Sequence, residues 1–113
     1  MKKLILASFL LLCGLFTVRA QEIVKHAPEG FDTYRRDIPH GKLDTISYPS
    51  KTVGVNRRAL IYTPPGYSKK QKYPVLYLLH GIGGDEKEWL NGAQPQVILD
   101  NLYAGKKLAP MIV

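Results

Sequence analysis

The residues best suited to chemistry lie in one short segment, residues 80–84, with the sequence His-Gly-Ile-Gly-Gly. Glycines allow backbone N–H groups to approach a substrate oxygen without steric hindrance. Because the segment follows the apolar run Val75–Leu79, we expect it at the carboxyl edge of a sheet, where α/β proteins bind their ligands. Backbone donors there can form an oxyanion hole, which stabilises the negative oxygen of a tetrahedral intermediate in acyl transfer.

Two other interpretations of this glycine-rich segment are open. It could be a tight turn after a strand, in which His80 is only a satisfied polar residue. A phosphate-binding loop fits less well, because the pattern Gly-x-x-x-x-Gly-Lys-Ser/Thr is missing. A dinucleotide fingerprint is also a poor fit, since Gly81 and Gly83 are not followed by a third glycine at the required position.

The segments before this turn predict strands. Lys42–Ser50 and Val53–Thr63 are rich in β-forming residues, and the second is followed by Pro64-Pro65-Gly66, a strong stop signal. We therefore expect an antiparallel pair at a sheet edge. The run Val75–Leu79 has no polar break, which is typical of a strand covered on both faces in a parallel sheet.

The segment after the turn predicts a helix and then another strand. Apolar residues recur at helical spacing in Pro95–Tyr103, Pro95 suits the first turn, and Gly105 suits the C-cap. The apolar run at 110–113 indicates a second strand and hence the beginning of a βαβ unit. Because the sequence stops inside that run, we expect the chain to be a fragment of a longer domain.

Residues 1–20 are predicted to be a secretory signal peptide. Two lysines precede an apolar run, and small side chains before Gln21 suit cleavage there. The run is shorter than the roughly 20 residues that span a membrane, so no stable membrane anchor is expected. A lipoprotein signal with Cys13 lipidated is the alternative, although Leu12 is bulky for such a signal. We expect a secreted or periplasmic protein.

The remaining composition excludes several classes of protein. Cys13 is the only cysteine, so the chain from Gln21 onward has no disulfide and needs a hydrophobic core. The signal peptide contains three of the 16 Lys and Arg residues, which leaves 13 against nine acidic residues, a net charge of +4. The basic residues occur as scattered pairs without a nucleic-acid-binding motif, so no nucleic-acid partner is expected. Residues 21–41 show no sustained spacing of apolar residues typical of a strand or a helix, and we expect them to form an extended arm.

Several motifs together carry a resemblance to a known family. Residues 58–67 read Arg-Ala-Leu-Ile-Tyr-Thr-Pro-Pro-Gly-Tyr, residues 72–84 contain Tyr-Pro-Val-Leu-Tyr-Leu-Leu-His-Gly, and Trp89 follows. These elements, in this order and spacing, resemble the esterase-D-like α/β-hydrolases. Within that group the sequence is most similar to the feruloyl esterases of carbohydrate esterase family one, including domains fused to bacterial xylanases. The resemblance covers roughly Phe31 to Val113.

The resemblance implies an α/β fold, here an incomplete α/β-hydrolase in which N-terminal antiparallel strands lead into a parallel sheet with one helix. It also implies a Ser, Asp, His triad with the serine on a Gly-x-Ser-x-Gly elbow. One oxyanion donor would be the backbone N–H of Ile82, in a loop shaped by His80, Gly81, Gly83 and Gly84. Trp89 would lie near the entrance of the acyl or sugar pocket, or else serve as a core aromatic.

The triad itself is not found in this sequence. None of Ser47, Ser50 and Ser68 has a glycine two residues before and two after it. His26, His40, Asp85 and Asp100 precede the position that the family gives to its nucleophile, so none matches a triad member. We therefore interpret residues 42–113 as the N-terminal part of an α/β-hydrolase domain, truncated before the nucleophile elbow, and we expect this chain alone to be inactive.

The expected function is that of a secreted serine esterase acting on feruloyl or related acyl groups of plant cell-wall polysaccharide, with no metal or organic cofactor. Another acyl hydrolase of the same fold, such as an acetyl esterase, is one alternative. A small secreted glycan-binding module is another, with an aromatic surface formed by Tyr48, Tyr62, Tyr67 and Tyr73. Homology to fused proteins could also suggest a xylanase, although no pair of glycosidase carboxylates can be argued from this sequence.

Overall fold

The computed structural model describes residues 26–113, and the predicted signal peptide at 1–20 lies outside the described residues. Four elements follow in order: strands β1 (Lys42–Ser50) and β2 (Val55–Thr63), then helices α1 (Glu88–Ala93) and α2 (Pro95–Ala104). In the described part of the arm, 26–41, the chain forms turns without a helix or strand. Asn101 of α2 fastens that arm, since its side-chain amide donates to the carbonyls of Phe31 and Thr33, each at 2.9 Å.

The two strands form the predicted antiparallel hairpin. Lys42 pairs with Thr63 at one end and Ser50 with Val55 at the other. Strand β2 begins two residues later than predicted because the turn occupies that space, with the Gly54 N–H bonded to the Ser50 carbonyl at 2.9 Å. Gly54 has φ +70°, a left-handed conformation that glycine adopts readily.

The end of the chain extends this hairpin into a mixed sheet. Tyr62 and Val113 exchange two backbone hydrogen bonds, at 2.8 and 3.0 Å, as an antiparallel pair does. Ile112 in turn forms a parallel bridge with Val75. The order across the sheet is therefore β1, β2, the 112–113 segment and the segment around Val75. Because parallel neighbours need a crossover connection, the α/β character is confirmed. The predicted strands at 75–79 and 110–113 each contribute only one bridge residue, so the βαβ unit is incomplete in the described residues.

Two helices form the crossover where the sequence predicted one. Helix α2 spans nearly the predicted residues, and α1 is an additional short helix just before it. Gln94 separates them with φ 45°. A proline disfavours the right-handed helical conformation in the residue before it, so Pro95 prevents α1 from continuing into α2. Gly105 is the C-cap as predicted, but the left-handed residue is Lys106, with φ 54°.

The expectation that Val75–Leu79 is covered on both faces is wrong for the described residues. Tyr77 and Leu79 are 79% and 81% exposed, and Val75 and Leu76 are also exposed. Burial on both faces of a strand requires a packed layer on each side, and residues 26–113 do not supply both layers. Apart from the single bridge at Val75, the segment is an uncovered apolar edge.

The hydrophobic core lies between β2 and α2. Its buried apolar side chains include Tyr62 from β2 and Val97 and Leu99 from α2. Within residues 26–113 no helix is long and apolar enough to cross a membrane. The same residues contain no group of three or more His, Cys, Asp or Glu side chains that could hold a metal ion.

Candidate oxyanion site

The glycine-rich segment forms a tight turn. The Gly84 N–H donates to the Gly81 carbonyl at 3.1 Å and closes the four-residue loop. Gly83, at the third position, has φ +78°. A turn with positive φ at this position favours glycine, because an L side chain is strained there. The sequence therefore needs a glycine at 83 for a backbone reason, independent of any substrate.

The turn fixes the direction of the peptide between Gly81 and Ile82. The Gly81 carbonyl accepts from the Gly84 N–H and lies 2.8 Å from His80 Nδ1, which donates in the tautomer that carries its proton there. In a planar trans peptide the N–H points away from the C=O, so the Ile82 N–H faces away from these two donors. No hydrogen bond within residues 26–113 uses this N–H, and Ile82 is fully exposed.

Helix α1 holds the other side of the same turn. The Gly81 N–H donates to Glu88 Oε1 at 3.0 Å. The second carboxylate oxygen occupies the space beside Gly84, where any Cβ would overlap Glu88 Oε2. A side chain at 84 would therefore displace the Glu88 carboxylate from the turn, whereas the φ of Gly84 is not positive and does not itself favour glycine. Glu88 was not predicted from the sequence, because its place on the first turn of α1 depends on a helix that was not predicted either.

Trp89 anchors α1 to the end of the apolar segment. Its indole N–H donates to the Leu79 carbonyl at 2.9 Å. The side chain is 43% exposed, so among the described residues it is not a buried core aromatic. Its place at a pocket entrance stays a prediction. Trp89 and Glu88 together attach the start of α1 to the backbone on both sides of His80.

An ion pair connects the residues after the turn to the hairpin. Arg58 of β2 contacts Glu86 Oε1 at 2.7 Å. The Glu86 side chain is largely shielded from solvent, whereas Arg58 is exposed. The pair therefore brings the start of the crossover next to the second strand of the sheet.

A second cluster of polar side chains lies in the core, around the buried carboxylate of Asp100. Tyr62 donates to Asp100 Oδ1 at 2.6 Å, and the Gly41 N–H donates to the same oxygen at 2.9 Å. His40 Nδ1 lies 2.9 Å from Asp100 Oδ2, and the His40 ring stacks on Tyr34 with ring centroids 4.8 Å apart. The carboxylate joins the arm, β2 and α2, which is a structural role.

Burial and the adjacent carboxylate change the acidity of Tyr62. Burial raises the pKa of the Tyr62 phenol above its usual range, and the hydrogen bond to Asp100 and the charge of Asp100 raise it further. Gly41 must be glycine here, since a Cβ at this position would overlap the Tyr62 ring. From the sequence, His40 and Asp100 were only rejected triad candidates, and their contact was not predicted.

The positions of the four tyrosines argue against the alternative of a glycan-binding aromatic surface. Tyr62 is only 3% exposed and cannot contact a ligand. Tyr67 and Tyr73 pack against each other, with ring centroids 5.2 Å apart. The Tyr73 hydroxyl is also engaged locally, by the Ser68 N–H and the side chain of Gln71. These contacts place two of the four rings in packing roles and one in the core.

Comparison with known sequences supports an esterase. Residues 50–113 match the model of the Esterase family, described as "Putative esterase". The chain is 39% identical over 90 residues to an endo-1,4-beta-xylanase/feruloyl esterase of Xylanibacter ruminicola, an alignment covering 75% of this chain and 12% of that protein. It is also 39% identical over 86 residues to endo-1,4-beta-xylanase Y of Acetivibrio thermocellus, covering 73% and 8% respectively. The chain thus spans a small part of these relatives.

Comparison with solved structures gives the same fold. The ferulic acid esterase of Anaeromyces mucronatus, of carbohydrate esterase family one and in complex with ferulic acid, aligns with TM-score 0.74 and 28% identity. That alignment covers 82% of this chain and 34% of the esterase. A mutant feruloyl esterase module from Clostridium thermocellum, complexed with sinapinate, aligns with TM-score 0.68 and 28% identity, covering 77% and 30%. The resemblance drawn from the sequence motifs is confirmed.

Proposed function

Because the chain belongs to the Esterase family, we propose that it forms part of a serine carboxylic-ester hydrolase in which the turn at 81–84 supplies an oxyanion donor. The observation that carries this proposal is the orientation of the Ile82 N–H. Its peptide is held by donors on the carbonyl side, and the N–H itself is exposed and makes no hydrogen bond within residues 26–113. Such a preorganised donor stabilises charge that develops on a substrate oxygen.

In the proposed reaction a serine Oγ attacks the ester carbonyl carbon after a histidine takes its proton. The carbonyl π electrons move to the oxygen, and the Ile82 N–H donates to the resulting oxyanion. Collapse breaks the bond to the alcohol, which leaves with the proton from the histidine, and water then hydrolyses the acyl-enzyme. Ser47, Ser50 and Ser68 lack the flanking glycines of a nucleophile elbow, so the serine would come from outside these 113 residues.

The proposed substrates are feruloyl or related aryl-acyl esters on plant cell-wall polysaccharide. Support comes from the relative in Xylanibacter ruminicola, whose name includes feruloyl esterase, and from the neighbours bound to ferulic acid and sinapinate. An acetyl esterase of the same fold is the competing assignment within the family. Residues 1–20 have the composition of a signal peptide, so we place the protein outside the cytoplasm, with Gln21 as its first residue.

The decisive experiment uses the complete product of the gene that encodes this chain. We expect it to hydrolyse methyl ferulate and methyl sinapate, to hydrolyse p-nitrophenyl ferulate with a higher kcat/KM than p-nitrophenyl acetate, which has the same leaving group, and to release ferulate from wheat arabinoxylan. Residues 21–113, purified alone, should show no serine-dependent hydrolysis. A complete product that cleaves no carboxylic ester would overturn the proposal, and a preference for acetate would overturn the substrate assignment.

Mass spectrometry of the exported protein should give Gln21 as the N-terminus rather than a lipidated Cys13.

A further inference from the structure

We propose that the carboxylate of Glu88 is a positioning residue for the oxyanion donor, acting through the Gly81 peptide; this inference rests on the proposed function. Glu88 does not reach the substrate oxygen in this role. It holds the backbone on the N-terminal side of Gly81, while His80 Nδ1 and the Gly84 N–H hold the carbonyl on the other side.

The need for such a restraint follows from Gly81 itself. Glycine has no Cβ and rotates more freely about φ and ψ than any other residue. The two peptides that meet at Gly81 are therefore poorly fixed relative to each other unless both are bonded. The hydrogen bond from the Gly81 N–H to Glu88 Oε1, at 3.0 Å, fixes the first peptide, and the turn fixes the second.

The exposed Glu88 carboxylate lies against the turn, in the space beside Gly84. A Cβ at Gly84 would overlap Glu88 Oε2 and would lie 3.2 Å from the His80 Cβ. At Gly81, by contrast, a Cβ would lie 3.6 Å from Glu88 Oε1, an ordinary contact distance. The space left by the missing side chain at 84 is thus the space that the carboxylate uses.

The attachment of α1 supplies the rigidity that this role needs. Trp89, the next residue, donates from its indole to the Leu79 carbonyl at 2.9 Å, so the first turn of α1 is fixed to the backbone just before His80. Because the first turn of α1 is held in this way, the Glu88 carboxylate has a defined position from which it accepts from the Gly81 N–H, one residue after His80. A small misplacement of a preorganised donor can lower the rate of catalysis by about 100-fold.

The test compares Glu88→Ala with Glu88→Gln in the complete gene product. Glu88→Ala should lower kcat for methyl ferulate by about 10- to 100-fold with KM nearly unchanged, since only the developing oxyanion loses its donor. Glu88→Gln keeps an oxygen acceptor for the Gly81 N–H and should restore most of kcat. Glu29→Ala, which removes an exposed carboxylate in the arm, is the matched control and should keep the activity of the unmodified enzyme.

A second measurement is independent of esterase activity. In the ¹⁵N-labelled complete gene product, the Gly81 amide should lose protection from hydrogen exchange in Glu88→Ala and keep it in Glu88→Gln. Unchanged Gly81 exchange in Glu88→Ala would overturn the inference even if the complete product proved inactive, whereas inactivity alone would count against the proposed function. An active Glu88→Ala enzyme with unchanged kcat would overturn the inference and leave the proposed function standing.

Discussion

The Tyr62 hydroxyl donates to the Asp100 carboxylate at 2.6 Å, and this bond joins β2 to α2 inside the core. Asp100 is 5% exposed, so its charge depends on protein donors rather than on water for stabilisation. The Gly41 N–H and His40 complete the set of donors and bring the arm to the same point. One carboxylate therefore links α2, the sheet and the arm, in addition to the bonds from Asn101 that hold the arm on α2.

Replacing Tyr62 by phenylalanine should destabilise the contact between β2 and α2. The variant removes the phenolic donor but keeps the ring, and it leaves one oxygen of a buried carboxylate with fewer donors. The loss of such a bond to a charged group costs about 1–3 kcal/mol. Native-state hydrogen exchange of the α2 amides measures this change in the 113-residue chain. Tyr48→Phe is the control, since Tyr48 is exposed on β1, and equal effects of the two variants would contradict the role of the bond.

The same phenol should make stability fall at alkaline pH. Burial and Asp100 raise the pKa of Tyr62 in the folded state, while an unfolded tyrosine ionises near about pH 10. Above that pH the unfolded chain loses a proton that the folded chain retains, so the free energy of unfolding decreases as pH rises further. Below about pH 10 the contribution is fully present.

Unfolding free energies of the unmodified chain and Tyr62→Phe, measured between about pH 8 and 12, test this dependence. The stability advantage of the unmodified chain should shrink as pH rises above about 10. Burial also raises the pKa of Tyr103, so part of the alkaline loss should persist in Tyr62→Phe. A constant difference between the two proteins across this range would contradict the prediction.

Gly83→Ala should impair the proposed esterase more than its cost in stability explains. Gly83 and Gly54 both have positive φ, +78° and +70°, and a Cβ would meet no atom within 4 Å at either position. Alanine should therefore introduce a similar strain of about 1–2 kcal/mol at each site. Only Gly83 lies in the turn that orients the Ile82 N–H.

The comparison of these two glycine variants uses kcat for methyl ferulate and the melting temperature of the complete gene product. Gly54→Ala in the hairpin turn should lower the melting temperature without changing kcat. Gly83→Ala should lower both, with kcat reduced by about 10-fold or more, as expected for displacement of an oxyanion donor. Equal kcat values in the two variants would show that the turn does not orient a catalytic group.

The sequence was most informative where local chemistry determines structure. Alternation of β-forming residues ended by Pro64 and Pro65 predicted the hairpin, and Pro95 with its helical spacing predicted α2. Burial of Val75–Leu79 was predicted wrongly because an apolar run shows only that a strand could be covered. Coverage depends on other layers of the fold, and residues 26–113 do not supply both of them.

The candidate site shows the same division between local and long-range information. The glycines at 81–84 predicted a turn with exposed backbone donors, and the structure forms that turn. Glu88 could not be identified because its bond to Gly81 depends on α1, a helix of only six residues that the sequence did not predict. Asp100 offered one signal, an acidic residue on the apolar side of a helix, but its partners Tyr62 and His40 are 38 and 60 residues away in sequence.

The uncovered apolar segment at 75–79 should make the 113-residue chain self-associate. Leu79 is 81% exposed, and an exposed apolar edge with unused backbone groups pairs readily with another copy. Leu79→Lys places a charge on this edge and should reduce self-association, as charged residues do on natural edge strands. Sedimentation velocity at matched concentrations measures the effect. Val53→Lys, in the exposed hairpin turn, is the control, because Val53 is 57% exposed but lies away from the apolar edge. If both lysine variants associate as strongly as the unmodified chain, the contact between copies does not involve residues 75–79.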